Sequence, residues 1–262
     1  MNILEKIIAE KRQEVQRQKE AVHLSVLENL LKDKPACLSF KKALSESESG
    51  IIAEFKRRSP SKDWLCKDAL VEEVVPGYVQ SGATALSILT DEPFFGGSLK
   101  DLQAARKLTQ TTPLLRKDFV IDEYQLYQAR VMGADVVLLI AAALSVRQTI
   151  DLAKTAHALG LEVLLEVHSK EELEHVNEYV EVVGVNNRNL STFVTDVQVS
   201  YDLATLIPDA FVKISESGIS RPETVAGLRK VGFKGFLMGE NFMKTSCPGE
   251  TLRTFIRNLS SL

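Results

Sequence analysis

Residues 51–61 read Ile51-Ile52-Ala53-Glu54-Phe55-Lys56-Arg57-Arg58-Ser59-Pro60-Ser61, an apolar run followed by a turn. Such a run is typical of a buried strand, and side chains two residues apart lie on the same face of a strand. Glu54 and Lys56 therefore share a face. Because a charged pair is costly in a core and useful in a site, we expect it at the carboxyl end of a first strand, beside a binding site.

Seven further apolar runs follow, and helix-like segments such as Glu123–Met132 lie between them. The runs start roughly 20 to 33 residues apart, which is the size of a strand-plus-helix unit. Several lack polar alternation, as expected of parallel strands that are covered on both sides. The eight runs are Ile51–Phe55, Thr84–Leu89, Pro113–Leu115, Asp135–Ile140, Glu162–Val167, Val182–Val185, Phe211–Ile214 and Gly235–Met238.

Eight such units predict an α/β fold, a (β/α)8 TIM barrel, in this chain of 262 residues. A doubly wound open sheet is the alternative. Its dinucleotide-binding form is disfavoured because no Gly-x-Gly-x-x-Gly follows the first strand. Apolar residues recur at helix spacing before the first strand. We therefore expect an N-terminal helical extension at residues 1–48 and the barrel at residues 49–262, forming one domain overall.

Composition narrows the function classes. The net charge of -3 gives no general attraction for nucleic acid, so any anion site must be local. The longest apolar run, Val136–Leu144, has nine residues and is too short to span a bilayer. The N-terminus lacks a secretory signal pattern. Three widely spaced cysteines show no metal spacing, so we expect a cytoplasmic protein with no metal and no nucleic-acid or membrane partner.

Polar side chains follow nearly every predicted strand, at the end where a barrel carries its site. One polar strand end means little, but six or seven in one chain predict a cleft. Glu54, Lys56 and Ser59 come from the end of strand one, residues 90–98 follow strand two, and residues 116–119 follow strand three. Glu166 and His168 come from the end of strand five, and residues 186–189 follow strand six. Residues 216–218 follow strand seven, and Gly239 with Glu240 follows strand eight.

Two lysines and a glutamate are candidates for acid–base chemistry. Partly buried lysines such as Lys56 and Lys117 can donate protons or bind carboxylates and phosphates. Ion pairs are the alternative, Lys56 with Glu54 and Lys117 with Asp118 or Glu166. Glu166 follows two leucines, an apolar setting that can raise its pKa toward that of a general base. A purely structural carboxylate is equally compatible with the sequence.

The turns after strands seven and eight predict a phosphate site, because glycines let backbone amides approach an anion and helix starts add positive partial charge. Ordinary strand-to-helix turns are the alternative. We expect Glu240 to offer its backbone N–H and to turn its carboxylate away.

Two further groups of side chains are candidates for binding. Arg188 can bind a carboxylate in a bidentate manner beside Asn186, with a solvated turn as the alternative. Phe94, Phe95 and Phe119 can form an apolar wall for an aromatic ring, or simply pack in the core.

Seven segments of the chain match, in order, the motifs of a known family. They are Ile-Ala-Glu-Phe-Lys-Arg-Arg-Ser-Pro-Ser, Leu-Thr-Asp-Glu-Pro-Phe-Phe-Gly-Gly-Ser, Leu-Arg-Lys-Asp-Phe, Leu-Leu-Glu-Val-His, Gly-Val-Asn-Asn-Arg-Asn-Leu, Ser-Glu-Ser-Gly-Ile and Phe-Leu-Met-Gly-Glu. Together they resemble the indole-3-glycerol phosphate synthase family over nearly the whole chain. No single motif is specific, but seven in order at matching strand ends are.

The resemblance implies a barrel enzyme of the tryptophan pathway, a carbon–carbon lyase. Its small phosphorylated substrate is 1-(2-carboxyphenylamino)-1-deoxyribulose 5-phosphate. The enzyme closes the indole ring with loss of carbon dioxide and water, and it uses neither a metal nor an organic cofactor. We expect a monomer that has at most weak contact with other enzymes of the pathway.

By motif position, Lys117 resembles the general acid that protonates the substrate carbonyl, and Glu166 resembles the acid/base partner that serves dehydration. Lys56 resembles the second catalytic lysine, oriented by Glu54. Candidates for binding the rest of the substrate, including the two phenylalanines, are Ser59, Phe94, Phe119, Asn186, Arg188 and Glu216. The family's phosphate-binding turns correspond to Ser217, Gly218, Gly239 and Glu240.

The sequence departs from the family at Asp63-Trp64, where a glycine usually follows Lys62. Aspartate lacks the freedom of glycine at positive φ, so we expect altered motion of the loop after strand one. Two other functions remain compatible with the residues. One is another phosphate-binding barrel enzyme, such as a sugar-phosphate isomerase or aldolase. The other is a non-enzymatic barrel, which the intact set of Lys56, Lys117 and Glu166 disfavours.

Overall fold

The computed structural model describes residues 2–262. Eight parallel strands form a closed barrel in which each strand pairs with its neighbours in the chain and the last pairs with the first. This confirms the (β/α)8 prediction and excludes the open sheet. The strands are β1 (Ile51–Phe55), β2 (Ala85–Leu89), β3 (Leu114–Lys117), β4 (Val136–Ile140), β5 (Glu162–Val167), β6 (Val182–Asn186), β7 (Val212–Glu216) and β8 (Phe233–Met238).

Three strands extend further than their apolar runs. β3 continues to Lys117, β6 to Asn186 and β7 to Glu216. These polar residues remain in the hydrogen-bonded ladder, where Lys117 lies opposite Leu89 and Asn186 lies opposite Glu216. The polar residues of the barrel mouth are therefore held by the sheet itself, which fixes their positions more tightly than loops would.

Helices cover the outside of the barrel, and the N-terminal helices add Phe40–Glu46 at one end and Ile3–Ala21 beside the other. The fifth connection differs from the others, because its helix is a single 3-10 segment, Glu171–His175. The α-helices are α1 (Ile3–Ala21), α2 (Leu24–Leu31), α3 (Phe40–Glu46), α4 (Val71–Gln80), α5 (Glu92–Phe95), α6 (Leu99–Leu108), α7 (Glu123–Met132), α8 (Val146–Ala158), α9 (Gln198–Ala204), α10 (Pro222–Lys230), α11 (Glu240–Met243) and α12 (Pro248–Leu259). Within residues 2–262, no helix is long and apolar enough to cross a membrane.

The N-terminal helices reach both ends of the barrel. Asn2 caps α1, because its side chain accepts from the backbone of Glu5 while the Glu5 carboxylate accepts from the backbone of Asn2. At the closed end, Phe40 and Leu44 of α3 are fully buried and pack with the residues that fill the barrel interior. Burying two such side chains stabilises the fold by roughly 3 to 6 kcal/mol, so α3 forms part of the barrel's core.

Candidate active site

One cavity opens at the carboxyl ends of the barrel strands, and every predicted site residue except Phe94 lines it. We call it the mouth cavity. Helix α1 closes part of its rim with Ile3, Leu4 and Ile7. The predicted residues that line it are Glu54, Lys56, Ser59, Lys117, Phe119, Glu166, Asn186, Arg188, Glu216, Ser217, Gly218, Gly239 and Glu240.

Phe94 does not line the mouth cavity, and its neighbour Phe95 does. Both belong to α5, and successive residues of a helix point about 100° apart, so only one of the two can face the cavity. The Phe95 ring lies 5.8 Å from the Phe119 ring, centroid to centroid. This corrects the assignment of Phe94 to the site. Phe95 and Phe119 form the aromatic wall of the cavity.

Lys117 lies between two carboxylates. Its Nζ is 2.8 Å from Glu166 Oε2 and 3.2 Å from Glu216 Oε2. Burial alone would lower the pKa of Lys117, but the charges of Glu166, Glu216 and Glu54 outweigh burial and raise it above its usual range. Of the two predicted ion-pair partners of Lys117, Glu166 pairs with it, whereas Asp118 pairs with Lys11 and Arg116 instead. Lys117 is thus a charged ammonium that faces the cavity and has a proton to donate.

Both oxygens of Glu166 have partners. Oε2 accepts from Lys117, while Oε1 accepts from Asn186 Nδ2 at 3.1 Å and lies 3.4 Å from His168 Nε2. The expectation that its apolar setting raises the pKa of Glu166 is wrong. Burial does push the pKa upward, but Lys117 and His168 outweigh it and hold the pKa well below its usual range. Glu166 is therefore ionised and can accept a proton.

His168 provides a positive charge next to Glu166. It lies between Glu166 and Glu172, whose Oε2 is 3.2 Å from His168 Nδ1. Burial would lower the pKa of His168, but the two carboxylates raise it to about 10. At neutral pH the ring is therefore an imidazolium whose charge lies beside Glu166, although its buried Nε2 makes no hydrogen bond of good geometry within residues 2–262.

Glu216 is the carboxylate whose pKa is raised. Burial, together with the nearby charges of Glu166 and Glu54, raises the pKa of Glu216 to about 7, although Lys117 opposes the shift. Its Oε1 is buried and has no hydrogen-bond partner among residues 2–262. Glu216 can thus change its charge near neutral pH.

Glu54 and Lys56 form the expected pair on β1, with Lys56 Nζ 2.7 Å from Glu54 Oε1. Gly239 packs directly on this pair, because a Cβ added there would lie 2.6 Å from Glu54 Oε1. Only glycine permits this close approach. The end of β8 is therefore held against the end of β1, and Lys56 belongs to the same part of the cavity as the turn at Gly239.

The turn after β7 has an unusual backbone. Ser217 and Gly218 both have positive φ, 66° and 73°. Ser217 is one of the few non-glycine residues in this left-handed region, and Asn187 holds the turn by donating to the Ser217 carbonyl at 3.0 Å. With Gly239 and Glu240, which begins α11, these residues form a glycine-containing rim suited to an anion.

The loops after β1 and β6 meet over the cavity, where Arg188 Nη1 donates to Ser61 Oγ at 2.5 Å. The loop after β1 is a short hairpin, Arg58–Ser59 paired with Asp63–Trp64. Asp63 has a φ of 56°, which confirms that this position requires a left-handed backbone. Its carboxylate pairs with Arg58 Nε at 2.8 Å. Asp63 therefore combines a strained backbone with an ion pair that holds the hairpin.

We expect Asp63→Gly to change turnover or KM by up to about fivefold, the scale of one exposed ion pair. Glycine relieves the backbone strain but removes the pairing with Arg58. Asp63→Asn is the matched control, since asparagine tolerates positive φ and also lacks the charge. Steady-state kinetics of the three proteins test the expectation, and equal constants for all of them would refute it.

Lys11 is a buried residue of α1 that the sequence motifs did not indicate. It is 1% exposed and forms ion pairs with Asp91 and Asp118. Asp91 caps α5, the helix that carries Phe95, and Asp118 directly precedes Phe119. A signal was present, because Lys11 falls on the apolar face of α1, four residues after Ile7. A lysine at such a position needs buried counter-charges.

The cavity combines cations, carboxylates and an aromatic wall, so it can bind an anion, donate a proton and accept one. No cluster of three or more His, Cys, Asp or Glu side chains that could hold a metal occurs in the described part of the chain.

Comparison with known proteins gives a consistent result. The family model for indole-3-glycerol phosphate synthase matches residues 4–259. The chain is 58% identical to the indole-3-glycerol phosphate synthase of Bacteroides thetaiotaomicron, with 98% of each chain covered. It is 42% identical to that of Alkaliphilus metalliredigens, over 96% of this chain and 97% of the other.

Among solved structures, 3-hexulose-6-phosphate synthase from Salmonella typhimurium is similar, with a TM-score of 0.64 and 12% identity. The match covers 81% of this chain and 99% of that chain. At this identity the likeness supports the fold alone.

Proposed function

The chain belongs to the indole-3-glycerol phosphate synthase family, and from that membership we propose how its side chains divide the reaction among them. The enzyme is a carboxy-lyase of tryptophan biosynthesis that closes the indole ring of 1-(2-carboxyphenylamino)-1-deoxyribulose 5-phosphate. Ring closure needs an anchored phosphate, a bound carboxylate, an acid near the ketone oxygen and a base near the developing indole.

Lys117 is the acid of the first step. The ring carbon that bears the carboxylate attacks the ketone carbon, and the ketone oxygen takes a proton from the Lys117 ammonium. Loss of carbon dioxide then returns the bonding electrons to the ring and restores its aromaticity. The observation that carries this role is the position of Lys117 Nζ in the cavity, 2.8 Å from Glu166 and 3.2 Å from Glu216.

Glu166 is the base of the second step. It removes a proton from the carbon next to the nitrogen, and the hydroxyl on the neighbouring carbon leaves as water, which creates the indole double bond. The leaving hydroxyl needs an acid, and Lys56 is the second ammonium of the cavity, oriented by Glu54 at 2.7 Å. The lowered pKa of Glu166, which Lys117 and His168 maintain against burial, supports its role as proton acceptor.

The remaining residues bind the substrate. Backbone amides of the rim formed by Ser217, Gly218, Gly239 and Glu240 hold the phosphate. Arg188 has N–H donors beyond the one that Ser61 accepts, and these bind the substrate carboxylate near Ser59. The aromatic wall holds the substrate's ring. Asn186 orients Glu166, and Glu216 takes up a proton when the anionic substrate enters.

The oligomeric state, partners and location of the enzyme follow from the same reasoning. We infer a cytoplasmic monomer of one domain, residues 1–48 and 49–262 together, with at most weak contact with other enzymes of the pathway and no nucleic-acid or membrane partner. Two observations support parts of it. The net charge of -3 gives no general attraction for nucleic acid, and the three cysteines are free, as is usual in a reducing compartment.

Incubation of the purified protein with the anthranilate-derived ribulose phosphate tests the function directly. We expect indole fluorescence to rise in proportion to the substrate consumed, with release of carbon dioxide. Treatment with borohydride in the presence of substrate should trap no covalent adduct, because the proposed lysines transfer protons and form no Schiff base. A trapped lysine adduct, or the absence of indole, would overturn the proposal.

A further inference from the structure

The ammonium of Lys11 is fully paired although it is almost completely buried. It lies 2.7 Å from Glu14 Oε2, 3.0 Å from Asp91 Oδ2 and 2.9 Å from Asp118 Oδ1. The ammonium donates a hydrogen bond to Glu14 and forms ion pairs with Asp91 and Asp118, so three carboxylates surround its one positive charge. Asp91 follows β2, Asp118 follows β3, and Lys11 belongs to α1, so one side chain joins three separate segments.

Each of the two aspartates also holds the backbone beside one ring of the aromatic wall. Asp91 Oδ1 accepts from the backbone of Phe94 at 2.9 Å and so caps α5, the helix that ends at Phe95. Asp118 Oδ1 accepts from the backbone of Phe119 at 2.8 Å. The positions of the two rings therefore depend on carboxylates that Lys11 holds together.

Helix α1 contributes a third part of the same surface. Ile3, Leu4 and Ile7 line the mouth cavity from this helix, and Lys11 lies one turn beyond Ile7. The contact of Lys11 with the two aspartates fixes the distance between these aliphatic side chains and the aromatic wall. Lys11 itself does not line the cavity.

The two buried aspartates, Asp91 and Asp118, are matched in charge by Lys11 and Arg116, and only while the lysine is present. Burial would lower the pKa of Lys11, but Asp118, Asp91 and Glu14 raise it above its usual range. Burial would raise the pKa of Asp118, but Arg116 and Lys11 hold it well below its usual range. Arg116 Nη2 lies 2.8 Å from Asp118, whereas Asp91 has no second ion-pair partner in the described residues. Removing the lysine charge leaves Asp91 buried beside a second carboxylate.

We propose that Lys11 is a positioning residue which, through Asp91 and Asp118, assembles the apolar surface that binds the substrate's aromatic ring. The inference rests on the proposed placement of that ring against Phe95 and Phe119. Lys11 should therefore affect binding of the substrate's ring. It should not affect binding of the phosphate, because the phosphate-binding rim lies in the turns after β7 and β8.

The test compares two ligands that differ by the ring. In Lys11→Met, we expect the dissociation constant of indole-3-glycerol phosphate to rise about tenfold, roughly half of what burying an aromatic ring contributes. That of glycerol 3-phosphate, which lacks the ring, should stay within about twofold. KM for the substrate should rise together with the dissociation constant of indole-3-glycerol phosphate. Lys6→Met, an exposed lysine of the same helix, is the matched control and should change neither constant.

Two further variants keep the test decisive. If Lys11→Met does not fold, Lys11→Met with Asp91→Asn replaces it, because asparagine still caps Phe94 and removes the unpaired charge. A folded variant in which both constants are unchanged, or in which both rise equally, overturns the positioning role. Phe119→Ala separates the two levels of inference. If Phe119→Ala leaves the affinity for indole-3-glycerol phosphate unchanged, the ring does not bind against Phe119. The proposed role of Lys11 is then refuted as well, because it depends on that placement.

Discussion

Lys117→Ala is expected to lower kcat by at least about 10²-fold, the usual contribution of a positioned acid. Its Nζ lies 2.8 Å from Glu166 and 3.2 Å from Glu216, so the cavity loses both a proton donor and the cation between two carboxylates. Indole fluorescence under saturating substrate measures the effect. The chemical step should be affected more than substrate binding, because the proton is needed most as charge develops on the ketone oxygen.

The loss of the Lys117 charge has a second consequence in the cavity. Glu166 and Glu216 then face each other without the cation between them, and of the two it is Glu166 that keeps a positively charged neighbour, His168. The pKa of Glu216, already about 7, should rise further because Lys117 no longer opposes burial. A pH profile of the variant should show this shift. Lys117→Arg should restore the charge but little activity, because a guanidinium holds its proton too strongly to be a general acid at neutral pH.

Lys154→Ala is the matched control for this substitution. Lys154 is an exposed lysine of α8, remote from the residues that line the mouth cavity, so its removal should leave turnover unchanged. Thermal unfolding of both variants checks that the barrel is intact. Near-wild-type turnover in folded Lys117→Ala would show that another group supplies the proton.

The fold was predictable because a parallel barrel repeats one simple pattern. Each strand is buried on both faces and therefore appears as an apolar run, so all eight runs correspond to barrel strands. The ends were less predictable. Lys117, Asn186 and Glu216 continue their strands, because polar residues at a barrel mouth still form ladder hydrogen bonds. The change from apolar to polar residues marks the mouth and not the end of the strand.

The site was predictable as a set of residues but not as a set of interactions. Residues at strand ends were brought together as the barrel requires. Which carboxylate carries a raised pKa was not predictable, because it depends on contacts between residues remote in sequence. Glu166 has both Lys117 and His168 beside it, while Glu216 has an unpaired buried oxygen. Burial acts on both, and the count of nearby cations decides the direction.

Two other features depended on three-dimensional placement. Phe94 and Phe95 are adjacent in sequence, and the phase of the one-turn helix α5 decides which of them faces the cavity. Lys11 is some eighty residues from Asp91, and only the docking of α1 on the barrel mouth brings the two together. An apolar helix face with one lysine predicts buried counter-charges but does not identify them.

Glu166→Gln is expected to lower kcat by at least about 10²-fold as well, for the opposite reason. Glutamine has nearly the same size and can still accept a hydrogen bond from Lys117, so the cavity should keep its shape. It has no carboxylate to take the proton from the carbon next to the nitrogen. The dehydration step should therefore become slower than ring closure, and a single-turnover experiment should detect a non-indole intermediate before any fluorescence appears.

The same variant has a readout that does not depend on turnover. Glu166 is one of two carboxylates that raise the pKa of His168 to about 10, so in Glu166→Gln that pKa should fall toward its ordinary value of about 6.5. In the native enzyme the pairing of His168 stabilises the fold fully below pH of about 6.5 and is lost as the pH rises through about 10. In the variant this loss should begin at a lower pH. NMR titration of the His168 ring measures the shift.

Glu178→Gln is the matched control, because Glu178 is exposed and does not line the mouth cavity. It should leave turnover and the His168 titration unchanged. The two readouts of Glu166→Gln also test separate statements. A lowered His168 pKa with near-wild-type turnover would keep the observed contact but remove Glu166 from the proton transfer. Slow turnover with an unchanged His168 pKa would keep the base and show that Glu172 alone holds the proton on the imidazole, since Glu172 Oε2 lies 3.2 Å from His168 Nδ1.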